Sequence, residues 1–165
     1  MPSVLGVVET RFTARTALGR RWQLRRPERV GSFLDWAVDS VPLLDRLAEP
    51  LRRASITSSW MTTLTSDHPD ALDQIDQLLG DPGSIFDDGR VALYVCPKCS
   101  DPWSGTVSTD VVFTADVVHW RAIGWQRPQR PAEPFEPSVD LSFGRGQYED
   151  ALRDVRRAFA RHRST

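Results

Sequence analysis

At 165 residues, 40% hydrophobic and 26% charged, the chain has the size and composition of one globular domain that can bury its own core. A net charge of −1 and a pI near 6.3 argue against a dedicated nucleic-acid binder, which carries a basic excess. No run reaches the ~18 apolar residues of a membrane span, and the first residues lack the basic and apolar regions of a signal peptide; two cysteines three apart suit a reducing cytoplasm rather than a disulfide framework.

Val4 to Thr13 predicts a strand, Ala17-Leu18-Gly19 a turn, and Arg21 to Arg26 a second strand that completes a hairpin. Ser32 is placed to cap a helix, because Phe33, Leu34, Trp36, Ala37, Val38 and Val41 follow near helical spacing. Pro42 is expected to end or kink that helix, with Leu43, Leu44 and Leu47 continuing it until Pro50. The Ser- and Thr-rich run Ser55 to Thr65 reads as a long loop or, over part of its length, a strand. Pro69 to Leu79 is a clearer helix: Asp67 can cap it, Pro69 suits its first turn and Gly80 its exit. Turns at Asp81-Pro82-Gly83 and Asp87-Asp88-Gly89 follow.

Three strands form the expected core: Val91 to Val95, Thr106 to Thr114, and Val117 to Trp125 after the tight connection Ala115-Asp116. Alternation along the last puts Trp120 with Val118 and Ala122 on one face, and His119 with Val117, Ile123 and Trp125 on the other. Arg127 to Pro137 holds four prolines and predicts an exposed loop. Val139 to Phe143 reads as an edge strand. Gln147 to Arg161 reads as a helix with Tyr148, Ala151, Leu152, Val155, Ala158 and Phe159 on one stripe. The order predicts an α+β fold, one domain over 1–165, with a mainly antiparallel sheet and about three helices.

The chemistry-bearing motif is Cys96-Pro97-Lys98-Cys99, directly after a strand, which is how many zinc knuckles begin. A structural zinc needs four ligands, and the histidines His68, His119 and His162 show no finger-like pairing. His119 completes a zinc site only if its hairpin folds back on the knuckle, or a second chain brings its own cysteines. Thiol-redox chemistry is the other use of Cys96 and Cys99, although turn residues rather than a helix follow them. The plain alternative is structural, with Cys96 closing a buried strand and Cys99 packed in the turn. Hydrolase, P-loop and dinucleotide motifs are absent, and Gly144-Arg145-Gly146 is too short to cradle a phosphate.

Around these residues the segment Arg90 to Gln126 resembles a group of poorly characterised actinobacterial proteins. In that group a strand leads into C-P-x-C-G-D-x-x-C-G, then a hairpin, with F-x-x-x-Q-Y-x-x-A-L near the C-terminus. Cys96, Pro97, Cys99, Asp101 and Gly105 match the first motif, and Val118, Trp120 and Trp125 the hairpin. Phe143, Gln147, Tyr148, Ala151 and Leu152 match the last. The resemblance covers the C-terminal half. Ser104 stands where the group has its third cysteine and Ser100 where it has a glycine, which removes a thiolate that a metal role would need.

Charge is segregated. Seven arginines lie between Arg11 and Arg29, seven aspartates without a base between Asp67 and Asp88, and five arginines between Arg153 and Arg163. Asp70, Asp73 and Asp76 fall three apart on one helix face, opposite Leu72, Ile75 and Leu78. Trp103, in a turn beside Pro102, is a candidate interface anchor. These features predict a non-catalytic protein-binding module of the immunity or antitoxin kind. It would use Asp70, Asp73, Asp76 and Trp103 against a basic protein partner. The competing expectations are solvated aspartates paired with the C-terminal arginines, and a zinc-knuckle or thiol-redox protein.

Overall fold

The computed structural model describes residues 1–14, 29–56, 60–65, 68–97 and 102–162. The elements are β1 (Leu5–Ala14), β2 (Arg29–Val38), β3 (Val41–Pro42), α1 (Leu43–Arg53), α2 (Ala71–Leu78) and β4 (Val91–Tyr94). After a 3-10 turn at Pro102–Ser104 come β5 (Thr106–Phe113), β6 (Val117–Gln126), β7 (Glu133–Pro134), β8 (Leu141–Gly144) and α3 (Arg145–His162). The class is α+β, with a three-stranded sheet β1-β2-β3 and a five-stranded sheet β4-β5-β6-β7 to which β8 adds along β6. Every strand pair is antiparallel.

The first correction concerns 32–41, which forms strand and not helix. β1 pairs in continuous register with β2, Leu5 opposite Val38 and Val8 opposite Asp35. Phe33, Asp35, Trp36, Ala37 and Val38 are all buried, so both faces of β2 are covered. A strand covered on both sides has no polar alternation, and its apolar run imitates a buried helix. The expected turn at Ala17–Gly19 and strand at Arg21–Arg26 lie outside the described residues.

Pro42 starts a helix instead of ending one. It immediately precedes α1, where its fixed φ of −52° and missing N–H cost little. Pro50 lies inside α1 and is buried with Leu43, Leu47 and Leu51, so packing outweighs the one helical bond it gives up.

The β4–β5–β6 meander forms as expected, with one change of side. Between Ser108 and Asp110 the register with β6 shifts, and Ala122 takes φ +48°. This bulge inserts one extra residue in β6, so Ile123 turns onto the core face with Val118 and Trp120. The expected proline-rich loop contains β7 and two buried anchors, Pro128 and Phe135. β8 pairs β6 from Val117–Gly144 to Trp120–Leu141 and leads straight into α3.

One contiguous core draws on both sheets and all three helices. At its centre Trp120 meets Trp36 edge-on at 6.1 Å and Phe143 at 5.3 Å. Its indole N–H donates to the Tyr148 hydroxyl (3.0 Å), which donates to the Leu78 carbonyl (2.8 Å) and so joins β6, α3 and α2. Trp60 is buried and packs edge-on against Trp125 at 5.2 Å. Asp35, fully buried, accepts from the Tyr94 hydroxyl (2.5 Å) and from the Leu44 amide (3.3 Å), linking β2, β4 and the start of α1.

Segment 60–65 runs between the two sheets. Met61 and Val95 exchange both backbone hydrogen bonds (3.1 and 2.8 Å), so strand-like pairing occurs here at one residue only. On the other side the Leu34 amide donates to the Leu64 carbonyl (3.0 Å), and the Thr62 hydroxyl donates to the Leu34 carbonyl (2.7 Å). No helix among the described residues is long and apolar enough to cross a membrane.

Candidate functional site: an acid-rimmed cleft between α2 and β4

α2 buries Ala71, Gln74, Ile75 and Leu78. Their spacing is the ordinary apolar stripe, except that one position is a glutamine. The Gln74 amide donates to the carbonyls of Ala92 (2.7 Å) and Leu93 (3.2 Å). It thereby covers the outer edge of β4, an edge strand whose carbonyls would otherwise stand unpaired. Among the described residues Gln74 Oε1 has no hydrogen-bond partner, although the residue is only 5% exposed. Thr63, also 5% exposed, likewise keeps a hydroxyl oxygen with no partner among the described residues.

Both residues line a cleft of about 170 Å³ between α2, β4 and segment 60–65. Its rim carries the exposed carboxylates Asp70 and Asp73 from the first turns of α2. Its walls include Ile85, Val95 and Pro102, and Ile85 is exposed. Trp103, 59% exposed, follows Pro102 in the 3-10 turn. His68 precedes α2, and its Nδ1 accepts the Asp70 amide (3.2 Å), while its buried Nε2 has no partner among the described residues. Two larger clefts, of about 460 and 390 Å³, contain none of the unpartnered buried polar atoms.

The acidic triad divides. Asp70 and Asp73 stand at the cleft, and among the described residues no cation pairs with either. Asp76 faces α3, where it accepts from Arg156 at 2.6 and 3.2 Å and raises the pKa of that guanidinium. Asp88 is likewise occupied, by the Arg90 amide and the Gln126 side chain. Among the described residues, pairing with a C-terminal arginine therefore holds for Asp76 alone of the three. The expected Asp67 cap lies outside the described residues, and Asp70 takes the capping position without a side-chain cap bond.

Cys96 is half-buried and packs against the core, and Cys99 lies outside the described residues. Among the described residues no three His, Cys, Asp or Glu side chains converge on a metal position. His119 stands well away from Cys96. It sits opposite Val112, whereas Tyr94, two residues before Cys96, sits opposite Val107, roughly 17 Å away along β5 at the usual strand rise. His119 Nδ1 instead meets the Ser142 hydroxyl at 2.8 Å, a cross-strand pair that the β6–β8 register sets. Gly144-Arg145-Gly146 is the entry to α3.

Thr63, Gln74 and Ile85 were not singled out from sequence, and His68 was weighed there only as a zinc ligand. Gln74 alone left a signal there, as the one polar residue on a buried helical stripe. Comparison with family models, curated proteins and solved structures finds no match to this chain.

Proposed function

We propose that the protein is a non-catalytic protein-binding module that docks a basic protein partner on the face carrying Asp70, Asp73 and Trp103. Neutralisation of a basic partner by an immunity- or antitoxin-like protein is the type of role this fits. The observation that carries it is the juxtaposition of two exposed carboxylates, paired with no cation among the described residues, with exposed Ile85 and with Pro102, the residue next to exposed Trp103. Carboxylates steer a basic surface towards the face and set the salt dependence of association. Exposed aromatic and aliphatic groups supply the apolar contact that holds it. Asp76 drops out of the docking set because Arg156 occupies it.

Selection from a displayed random-peptide library on the immobilised protein tests the reading. The expected result is enrichment of Arg- and Lys-containing peptides whose capture weakens with salt and is lost in Asp70→Asn/Asp73→Asn and in Trp103→Ala. Peptides without basic enrichment, or capture unchanged in these variants, would refute it.

A further inference from the structure

We infer that the α2–β4 cleft is the seat of one arginine side chain of the partner; this rests on the docking face just described and names what enters it. The hydrogen-bonding groups of the cleft are mostly acceptors. Asp70 and Asp73 supply carboxylates at the rim, and just beneath the lining surface Gln74 keeps a carbonyl oxygen and Thr63 a hydroxyl oxygen that have no partner among the described residues. Buried oxygens without a donor are costly to keep, and a ligand rich in N–H groups removes that cost.

Guanidinium carries five N–H donors, no acceptor and a fixed positive charge, so it can serve several acceptors at once. An ammonium is a compact point charge with three donors and matches such a distributed set less well. The walls decide between an organic cation and a metal ion. Ile85, Val95 and Pro102 offer apolar surface suited to the three-methylene stem of arginine, whereas calcium or magnesium takes a shell of oxygens. The cleft volume, about 170 Å³, suits one side chain and not a folded ligand.

The test is an amide NMR titration of the isotopically labelled protein with N-acetyl-arginine methylamide at low salt. The parallel arms use the citrulline and lysine analogues and calcium chloride. The arginine probe is expected to shift the amides of Thr63, Asp73, Gln74 and Ala92 saturably, with a roughly millimolar Kd as befits one isolated side chain. The uncharged, near-isosteric citrulline probe and the lysine probe should each bind at least about tenfold more weakly, the loss expected on removing charge assistance or the planar donor set. Thr63→Val removes a hydroxyl that has no partner among the described residues, so this variant should fold normally and bind arginine several-fold more weakly, and so should Asp73→Asn.

Equal binding of citrulline or lysine, unchanged affinity in both variants, shifts confined to other regions, or cleft shifts from calcium with none from arginine would each overturn the assignment. If display enriches basic peptides that need Asp70 and Asp73 while the arginine probe leaves the cleft unmoved, the docking face stands and the arginine seat falls. If the probe titrates the cleft and no basic peptide is enriched, the arginine seat stands and the docking reading falls.

Discussion

Asp35 makes a prediction whose sign follows from its burial. Desolvation raises its pKa from 3.8 to about 6, against the lowering effect of the Tyr94 hydroxyl and the Leu44 and Trp36 amides, and nearby Asp45 adds to the rise. Between these two values the folded protein holds a proton that the unfolded chain has lost. Stability from this group is therefore full below about pH 4, declines as pH rises, and is lost above about pH 6. A shift of about two units corresponds to roughly 3 kcal/mol at 25 °C. Exposed Glu49 and half-buried Glu149, which salt bridges hold below their ordinary pKa, act in the opposite direction as pH falls, so the total curve mixes signs. Asp35→Asn isolates the one group. Urea unfolding followed by tryptophan fluorescence at intervals from pH 4 to pH 8, on wild type and variant, gives the difference in stability. That difference should move against wild type by roughly 3 kcal/mol as pH rises across the interval. A constant offset reflects the altered hydrogen bonds to Tyr94 and Leu44 and is not diagnostic. A difference that is flat with pH, or that favours wild type as pH rises, would refute the reasoning.

Further outcomes follow from other sites. Trp120→Ala removes a fully buried ring and the N–H bond to Tyr148, and should cost about 3–5 kcal/mol in chemical denaturation; a midpoint matching a surface control would show otherwise. Gly105 has φ +114° and its added Cβ would lie 2.0 Å from the Trp125 ring, whereas Gly83, at φ +131°, faces open space. Gly105→Ala should therefore cost about 3 kcal/mol or more against about 1–2 for Gly83→Ala, and equal losses would mean the ring moves aside freely. Asp76→Asn should lower stability by about 0.5 kcal/mol and leave basic-peptide capture intact, because its carboxylate serves α3; loss of capture would return Asp76 to the docking set. Elemental analysis of the purified protein should give far less than one zinc per chain, and Cys96→Ser/Cys99→Ser should still fold; stoichiometric zinc with unfolding on chelation would reverse this.

The first half of β6 and helix α3 were legible because each has one covered face, so polar and apolar residues alternate at the period of the element. β2 lacked that contrast. Segment 60–65 covers its edge, side chains cover both its faces, and 33–38 then carries the apolar density of a helix. The reversal at Ile123 depends on one positive φ at Ala122, and alanine does not announce such a conformation. Of the candidate site, Asp70, Asp73 and Trp103 were visible as charge and as a large apolar residue in a turn. The cleft between them was not, because Thr63 and Gln74 come together only through the backbone pairing of Met61 with Val95 and the packing of α2 on β4. Asp76 looked equivalent to its neighbours by spacing, and only the position of α3, eighty residues later, sets it apart.

The strip from Met61 to Leu64 has a consequence for how the molecule opens. Its backbone is fastened to Leu34 in β2 and to Val95, the residue that follows β4. A fluctuation that exposes the Val95 amide must detach the strip at the end of β4, and one that exposes the Leu34 amide must detach it from β2. If the strip leaves as one piece, these two amides, on opposite sides of it, should exchange with solvent deuterium at similar free energies, as members of one cooperative unit. Occupation of the cleft wall at Thr63 would slow both together, so that protection far out in the small sheet reports an event at the helix α2 mouth.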